Sequence, residues 1–189
     1  MSIKWNGTSN LGSKEFTCGH CGKIVAAVLG FFSDDRQSIY ICPHCNQPTH
    51  FSTANGQFPD VAPGNDVASL PEEIDKLYKE ARNCVAANAY TGAVLLCRKL
   101  LMNIGVQQGA EEGKPFIQYV EYLAQNGFVP PNGRGWVDHI RKKGNEATHE
   151  IKLMEKSDCE DLIAFSEMLM KFIYEFPNKI SSVTTNDES

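Results

Sequence analysis

The sequence lacks an excess of positive charge, any long apolar run, and the common catalytic signatures. Eighteen lysines and arginines stand against 23 aspartates and glutamates, for a net charge of −5. That balance argues against broad, nonspecific attachment to nucleic acid. No stretch approaches the roughly 18 apolar residues that cross a bilayer. The opening segment Met1-Ser-Ile-Lys-Trp-Asn-Gly has no apolar run after its lysine, so no secretory leader is expected and the protein is expected to be cytoplasmic. Also missing are a Walker loop, a dinucleotide-binding glycine pattern, a nucleophile elbow and an HExxH motif. Their absence removes the usual signatures of nucleotide hydrolysis, dinucleotide-dependent redox chemistry, serine esterases and zinc proteases.

What is present begins with cysteine. Two CxxC knuckles, Cys18-Gly-His-Cys21 and Cys42-Pro-His-Cys45, are separated by twenty residues. Four thiolates at this spacing suffice to close a tetrahedral zinc site. Gly22 and Pro43 supply the small and rigid residues that tight knuckle turns use. A closed four-cysteine set leaves no open coordination position for substrate, so the metal would be structural. The alternative, a pair of disulfides, is disfavoured in a cytoplasmic chain. His20 and His44 lie inside the knuckles and His50 just beyond them; only His50 competes as a ligand. Residues 24–29 and 38–41 carry the β-branched and aromatic content of short strands, with Phe31, Phe32 and Tyr40 expected to cluster beside the metal. Residues 11–51 thus form a small β zinc ribbon, neutral in charge, and 52–69, rich in turn formers without a period, form a linker.

The remainder turns to a helical period. Ser69 with Glu72 makes a capping box before a first helix, which stripes Ile74, Leu77, Tyr78, Ala81, Cys84 and Val85 on one face. A second, from about Thr91, stripes Ala93, Leu96, Cys97, Leu100, Leu101 and Ile104, with Gly105 and Gly109 marking its end. A third spans about 115–125, a fourth begins near Trp136, and a fifth, capped by Ser157 and Glu160, continues to Phe176. Cys84, Cys97 and Cys159 fall within these patterns as reduced core residues. The fold class expected is mainly α: the small ribbon, then a bundle of about five helices over 70–177, then a disordered tail at 178–189.

The fourth helix carries the candidate chemistry. Arg141, Asn145 and His149 lie four residues apart and share one side of a helix. Arginine holds phosphate through a forked pair of charged hydrogen bonds, histidine passes protons near neutral pH, and asparagine orients either. Gly144 in mid-helix costs roughly 1 kcal/mol relative to alanine. Ordinary helix packing explains the same residues equally well: hydrogen bonds to neighbouring helices for Asn145 and His149, close approach for Gly144. Arg98, beside the apolar stripe of the second helix, needs a partner: Glu146 or Glu150 would supply it as an ion pair, the favoured reading, and contact with a ligand is the alternative. Between 134 and 156, six basic residues face four acidic ones, which makes the helical half the better candidate for an anionic ligand.

Three segments resemble the helical family known as domain of unknown function 4145. They are Glu80-Ala81-Arg82 with Tyr90 and 95–101; Ile140-Arg141-Lys-Lys-Gly144-Asn145-Glu146-Ala147-Thr148-His149; and the closing Tyr174-Glu175-Phe176-Pro177. The resemblance covers 70–177. It implies a HEPN-like bundle, company with restriction and other bacterial defence proteins, and pairing of two copies so that each lends an Arg/His set to a composite cleft. In an active member of that superfamily Arg141 would stabilise the scissile phosphate of RNA, His149 would act as general acid or base, and Asn145 would position either. This chain places seven residues between Arg141 and His149, a longer interval than the active ribonucleases use, so the residues leave open whether it is an enzyme. The expectation is a zinc-binding, HEPN-like homodimer in antiviral defence that binds RNA or another nucleic acid, and cleaves it if it is a metal-independent endoribonuclease. The alternatives are a noncatalytic adaptor for a protein partner, and a sensor of a nucleotide or small anion.

Overall fold

In the computed structural model, residues 3–54, 56–130, 133, 135–140, 142 and 153–184 are described, with side chains to Ile180. The chain divides into two compact units, Met1–Ala62 with Ala86–Asn88, and Pro63–Val85 with Ala89–Ser189.

The first unit is an antiparallel sheet of five strands: β1 (Ser9–Thr17), β2 (Ile24–Phe32), β3 (Ser38–Ile41), β4 (Pro48–Phe51) and β5 (Gln57–Phe58). Strands pair in chain order, so every connection is a turn. Alternation along the strands sends Phe16, Val25, Ala27 and Tyr40 into a small core with Cys18 and Cys42. Phe16 sits opposite Val25 in register, and the Phe51 ring meets Phe16 edge-on at 5.0 Å. The expected cluster of Phe31 and Phe32 with Tyr40 does not form. Phe31 pairs with Ile39, the neighbour of Tyr40, and so lies on the opposite face; Phe32 is 70% exposed. The sheet is also larger than a small ribbon: among the described residues helix accounts for 47% and strand for 17%. Residues 57–58, expected within a linker, form the last strand because Phe58 pairs with His50 and Gln57 with Phe51.

The second unit is helical: α1 (Glu72–Ala86), α2 (Tyr90–Gln107), α3 (Phe116–Gln125), α4 (described at 135–140 and 142), α5 (Lys156–Met170), a π-helical turn at Lys171–Glu175, and α6 (Phe176–Thr184). Its core joins Ile74, Tyr78 and Ala81 of α1, Leu100, Leu101 and Ile104 of α2, Val120 and Leu123 of α3, Ile140 of α4, and Leu162, Phe165 and Leu169 of α5. Gly105 lets α3 approach α2, since a Cβ there would lie 3.0 Å from Tyr119 Cδ1. Two caps differ from expectation. Ser69 occupies a left-handed turn (φ 61°), and α1 starts at Glu72, after Pro71. At α5 the capping box is Glu155 with Asp158, the Glu155 N–H donating to Asp158 Oδ2 at 3.0 Å; Ser157 lies inside the helix. The expected disordered tail from 178 is helical to Thr184, where Asn178 Nδ2 donates to the Tyr174 carbonyl and Lys179 pairs with Glu175.

Residues 63–68 lack regular structure yet are held firmly. Arg82 donates to the carbonyls of Pro63 (2.8 Å) and Gly64 (2.9 Å) and to Asp66 Oδ1 (2.6 Å). Tyr78 Oη donates to the Asn65 carbonyl at 3.1 Å. From the other side, Glu167 accepts from the Asn65 backbone N–H (2.8 Å) and Nδ2 (3.1 Å), and Glu175 accepts from the Ala68 N–H at 3.0 Å. The π-helical turn ends on the second of these glutamates, Glu175.

Candidate metal centre

The cysteines sit at two turns built alike. In the first, between β1 and β2, the Gly22 N–H donates to the Cys18 carbonyl at 2.8 Å and the Cys18 N–H to the Lys23 carbonyl at 2.9 Å. In the second, between β3 and β4, the Asn46 N–H donates to the Cys42 carbonyl at 2.8 Å and the Cys42 N–H to the Gln47 carbonyl at 2.9 Å. Gly22 and Asn46 both take the left-handed conformation, at φ 68° and 59°, which glycine adopts freely and asparagine tolerates. Sequence reasoning found Gly22 and overlooked Asn46, whose signal was its matching offset from the CxxC pair. Antiparallel pairing brings both turns to one end of the sheet.

There the sulfurs of Cys18, Cys21, Cys42 and Cys45 lie within 4.8 Å of one another, and this is the one such cluster among the described residues. Cys18 Sγ is 3.7 Å from Cys45 Sγ, and Cys21 Sγ is 3.9 Å from Cys42 Sγ. Those separations are far too long for a disulfide, whose sulfurs stand ~2.05 Å apart. They match the edges, ~3.8 Å, of a tetrahedron of thiolates around a metal with bonds of about 2.3 Å. The donor set fits a metal ion. Burial pushes the Cys45 thiol up to about 12 and raises Cys21. At Cys42 burial acts in the same sense but is outweighed by hydrogen bonds from the Cys45 and His44 backbone and from the neighbouring thiols, so its value is drawn down. Amide donors of this kind stabilise a thiolate and make the turn a better ligand.

The histidines near the knuckles have other partners. His20 Nε2 lies 2.9 Å from the Pro48 carbonyl, and His50 Nε2 lies 2.8 Å from Gln37 Oε1. Neither belongs to the sulfur cluster.

In the helical unit, Arg141, Asn145 and His149 lie outside the described residues, as do Gly144, Glu146 and Glu150. Arg98 is half-buried with its guanidinium 4.5 Å from the centroid of the Phe116 ring, a cation–π contact; burial draws its pKa down. Sequence reading overlooked one pair: His139 Nε2 of α4 lies 2.9 Å from Asp161 Oδ2 of α5. The two are 22 positions apart on different helices, and nothing local in the sequence announces them. Both are substantially exposed.

These features define a class: an antiparallel sheet bearing a four-cysteine cluster, joined to a helical domain. Residues 79–186 match the family model described as Domain of unknown function (DUF4145), and the chain belongs to that family. No curated protein and no solved structure matches the chain at a significant level. Among the described residues no helix is long and apolar enough to cross a membrane.

Proposed function

We propose that the four cysteines hold a structural zinc ion, and that the protein is a zinc-ribbon, HEPN-like homodimer of bacterial defence whose helical domain binds RNA through Arg141, Asn145 and His149. Zinc is favoured by the all-thiolate set and its tetrahedral spacing. With four ligands from the chain, the ion organises the sheet and takes no part in chemistry. Any reaction therefore rests on the helical domain. The observation that carries the RNA reading is that the family match at 79–186 spans all three residues; the local basic excess around them supports it.

In this reading Arg141 holds the phosphate, Asn145 fixes its neighbours, and His149 exchanges a proton as general base or acid. Cleavage would proceed by attack of the RNA 2′-hydroxyl on the adjacent phosphorus, breaking the bond to the 5′-oxygen and leaving a cyclic phosphate. The test compares wild type with His149→Ala on mixed RNA in excess EDTA, with folding followed by circular dichroism in the same buffer. Cleavage by wild type alone supports catalysis. Binding without cleavage, lost in Arg141→Ala, supports the binding half by itself. Failure of both folded proteins to bind RNA refutes the proposal.

A second reading, a noncatalytic adaptor, is favoured by the exposed aromatic side chains of the sheet, Phe32 at 70% and Phe58 at 50% exposure. An adaptor tolerates His149→Ala and loses its protein partner when those rings are removed.

A further inference from the structure

The end of the sheet opposite the cysteines carries a second feature. Because the β1–β2 and β3–β4 turns hold the sulfurs, antiparallel pairing places the β2–β3 turn at the far end. A cavity of about 300 Å³ opens there, its lining including Phe31, Phe32, Asp35, Gln37, Ile39 and His50. That volume is at the lower end of ligand sites and suits one long side chain.

The walls are braced. Phe31 meets Trp5 edge-on, with centroids 6.2 Å apart, and Trp5 Nε1 donates to the Asn46 carbonyl at 3.0 Å. Gln37 and His50 hold each other at 2.8 Å. The turn itself is closed by the Ser33 N–H to the Gln37 carbonyl (3.0 Å), the Arg36 N–H to the Ser33 carbonyl (3.1 Å) and the Gln37 N–H to Ser33 Oγ (3.2 Å). Asp35 is thus presented on a fixed loop rather than a floppy one, and its carboxylate is the only acidic group of the lining. Among the described residues none forms an ion pair with Asp35.

The chemistry selects a cation. Aromatic faces are electronegative and attract guanidinium or ammonium, and Asp35 adds a full negative charge. The lining contains no lysine or arginine, so a phosphate would be repelled without compensation. Guanidinium suits the cavity better than ammonium: it is planar, stacks on rings, and pairs with a carboxylate through two parallel hydrogen bonds. The register extends the surface beyond the cavity. Phe31 pairs with Ile39, Ile39 with His50, and His50 with Phe58, so these four side chains form one row across β2 to β5. A polypeptide flanking the bound side chain would cover that row, whereas a free amino acid would leave Phe58 uncovered.

We propose that this cavity, with Phe31 and Phe32 as its aromatic walls and Asp35 as its counter-charge, binds an arginine side chain presented by a protein partner. The proposal deepens the adaptor reading and rests on it, and is independent of RNA binding by the helical domain.

The test is an amide-resolved NMR titration of the full, zinc-loaded protein. The probe is an acetylated, amidated pentapeptide with a central arginine among alanines, at millimolar concentration. Saturable shifts are expected at residues 31–39 and at His50. Replacing the arginine with citrulline, which keeps the shape and removes the charge, weakens binding about tenfold or more. Asp35→Asn and Phe32→Ala do the same; both residues are exposed, and retained zinc content and amide dispersion verify the fold. Equal binding of citrulline, shifts that map elsewhere, or no shifts at all overturn the proposal. So does a single-stranded oligouridylate that shifts these amides while the peptide does not. Arginine amide binding as tightly as the peptide overturns the protein-borne source. Failure of the peptide removes this cavity but not the adaptor reading, which falls only if removal of Phe32 and Phe58 leaves a defined partner bound.

Discussion

Glu167→Ala should loosen the helical domain by an amount the geometry allows us to estimate. Glu167 receives two hydrogen bonds from Asn65, at 2.8 and 3.1 Å, and pairs with Lys171 one turn along. Its side chain is 12% exposed, so solvent replaces these partners poorly. A hydrogen bond to a charged group contributes about 1.5–3 kcal/mol net. Taking the low end for each Asn65 bond, truncation costs about 3 kcal/mol, and it also leaves the Asn65 N–H without its acceptor. For a unit of this size that is a fall in Tm of about 10 °C. Glu167→Gln keeps one acceptor oxygen and should lose about half as much. Thermal unfolding at 222 nm, at constant ionic strength, reads the effect.

The pH dependence has a definite sign. Burial pushes the Glu167 carboxyl up, but the bonds from Lys171 and Asn65 outweigh it and hold the group below its ordinary range. With the folded value below the unfolded one, the stabilisation is complete above the unfolded carboxyl pKa, about 4.3. It fades as pH falls through the folded value. The difference in Tm between wild type and Glu167→Gln should therefore be constant near neutrality and shrink in acid. A Glu167→Ala protein melting within about 2 °C of wild type at pH 7, or a difference that widens in acid, would refute the reasoning.

Three further outcomes are expected. Thiol modification should release about one zinc ion per chain, and Cys42→Ser should unfold the sheet, because metal binding supplies on the order of 10 kcal/mol to such modules; the β amide resonances collapse while the helical signal at 222 nm persists. Cys97 and Cys159 are fully buried, and burial raises both thiols, Cys159 to about 12. A chromogenic disulfide at pH 8 should leave both unmodified in the native protein and label them on unfolding.

Residues whose partners are close in sequence were legible. The two CxxC pairs announced a four-sulfur cluster because each knuckle is a local turn, and hydrophobic spacing located α1, α2 and α3 because a helix repeats every 3.6 residues. The caps were harder. A serine followed three residues later by glutamate fits the cap pattern at both 69 and 157, yet backbone conformation places the helix starts after Pro71 and after Glu155. Residues 63–68 resembled a linker because they carry no period; what orders them is Arg82, Glu167 and Glu175, reaching back from far along the chain.

By itself, then, the sequence determined the clustering of the four cysteines, the change from strand to helix, most of the apolar faces and the family, expected over 70–177 and matched over 79–186. Tertiary structure decided what depends on register and long-range pairing. It placed Phe31 on the face away from the core that holds Cys18 and Cys42, aligned Phe31, Ile39, His50 and Phe58 in one row, and joined His139 to Asp161. The physical reason is common to all three. A strand's alternation says that neighbouring side chains point to opposite faces, but only pairing with the next strand says which face meets which. Likewise a helix face becomes a site only when a second helix supplies the other half.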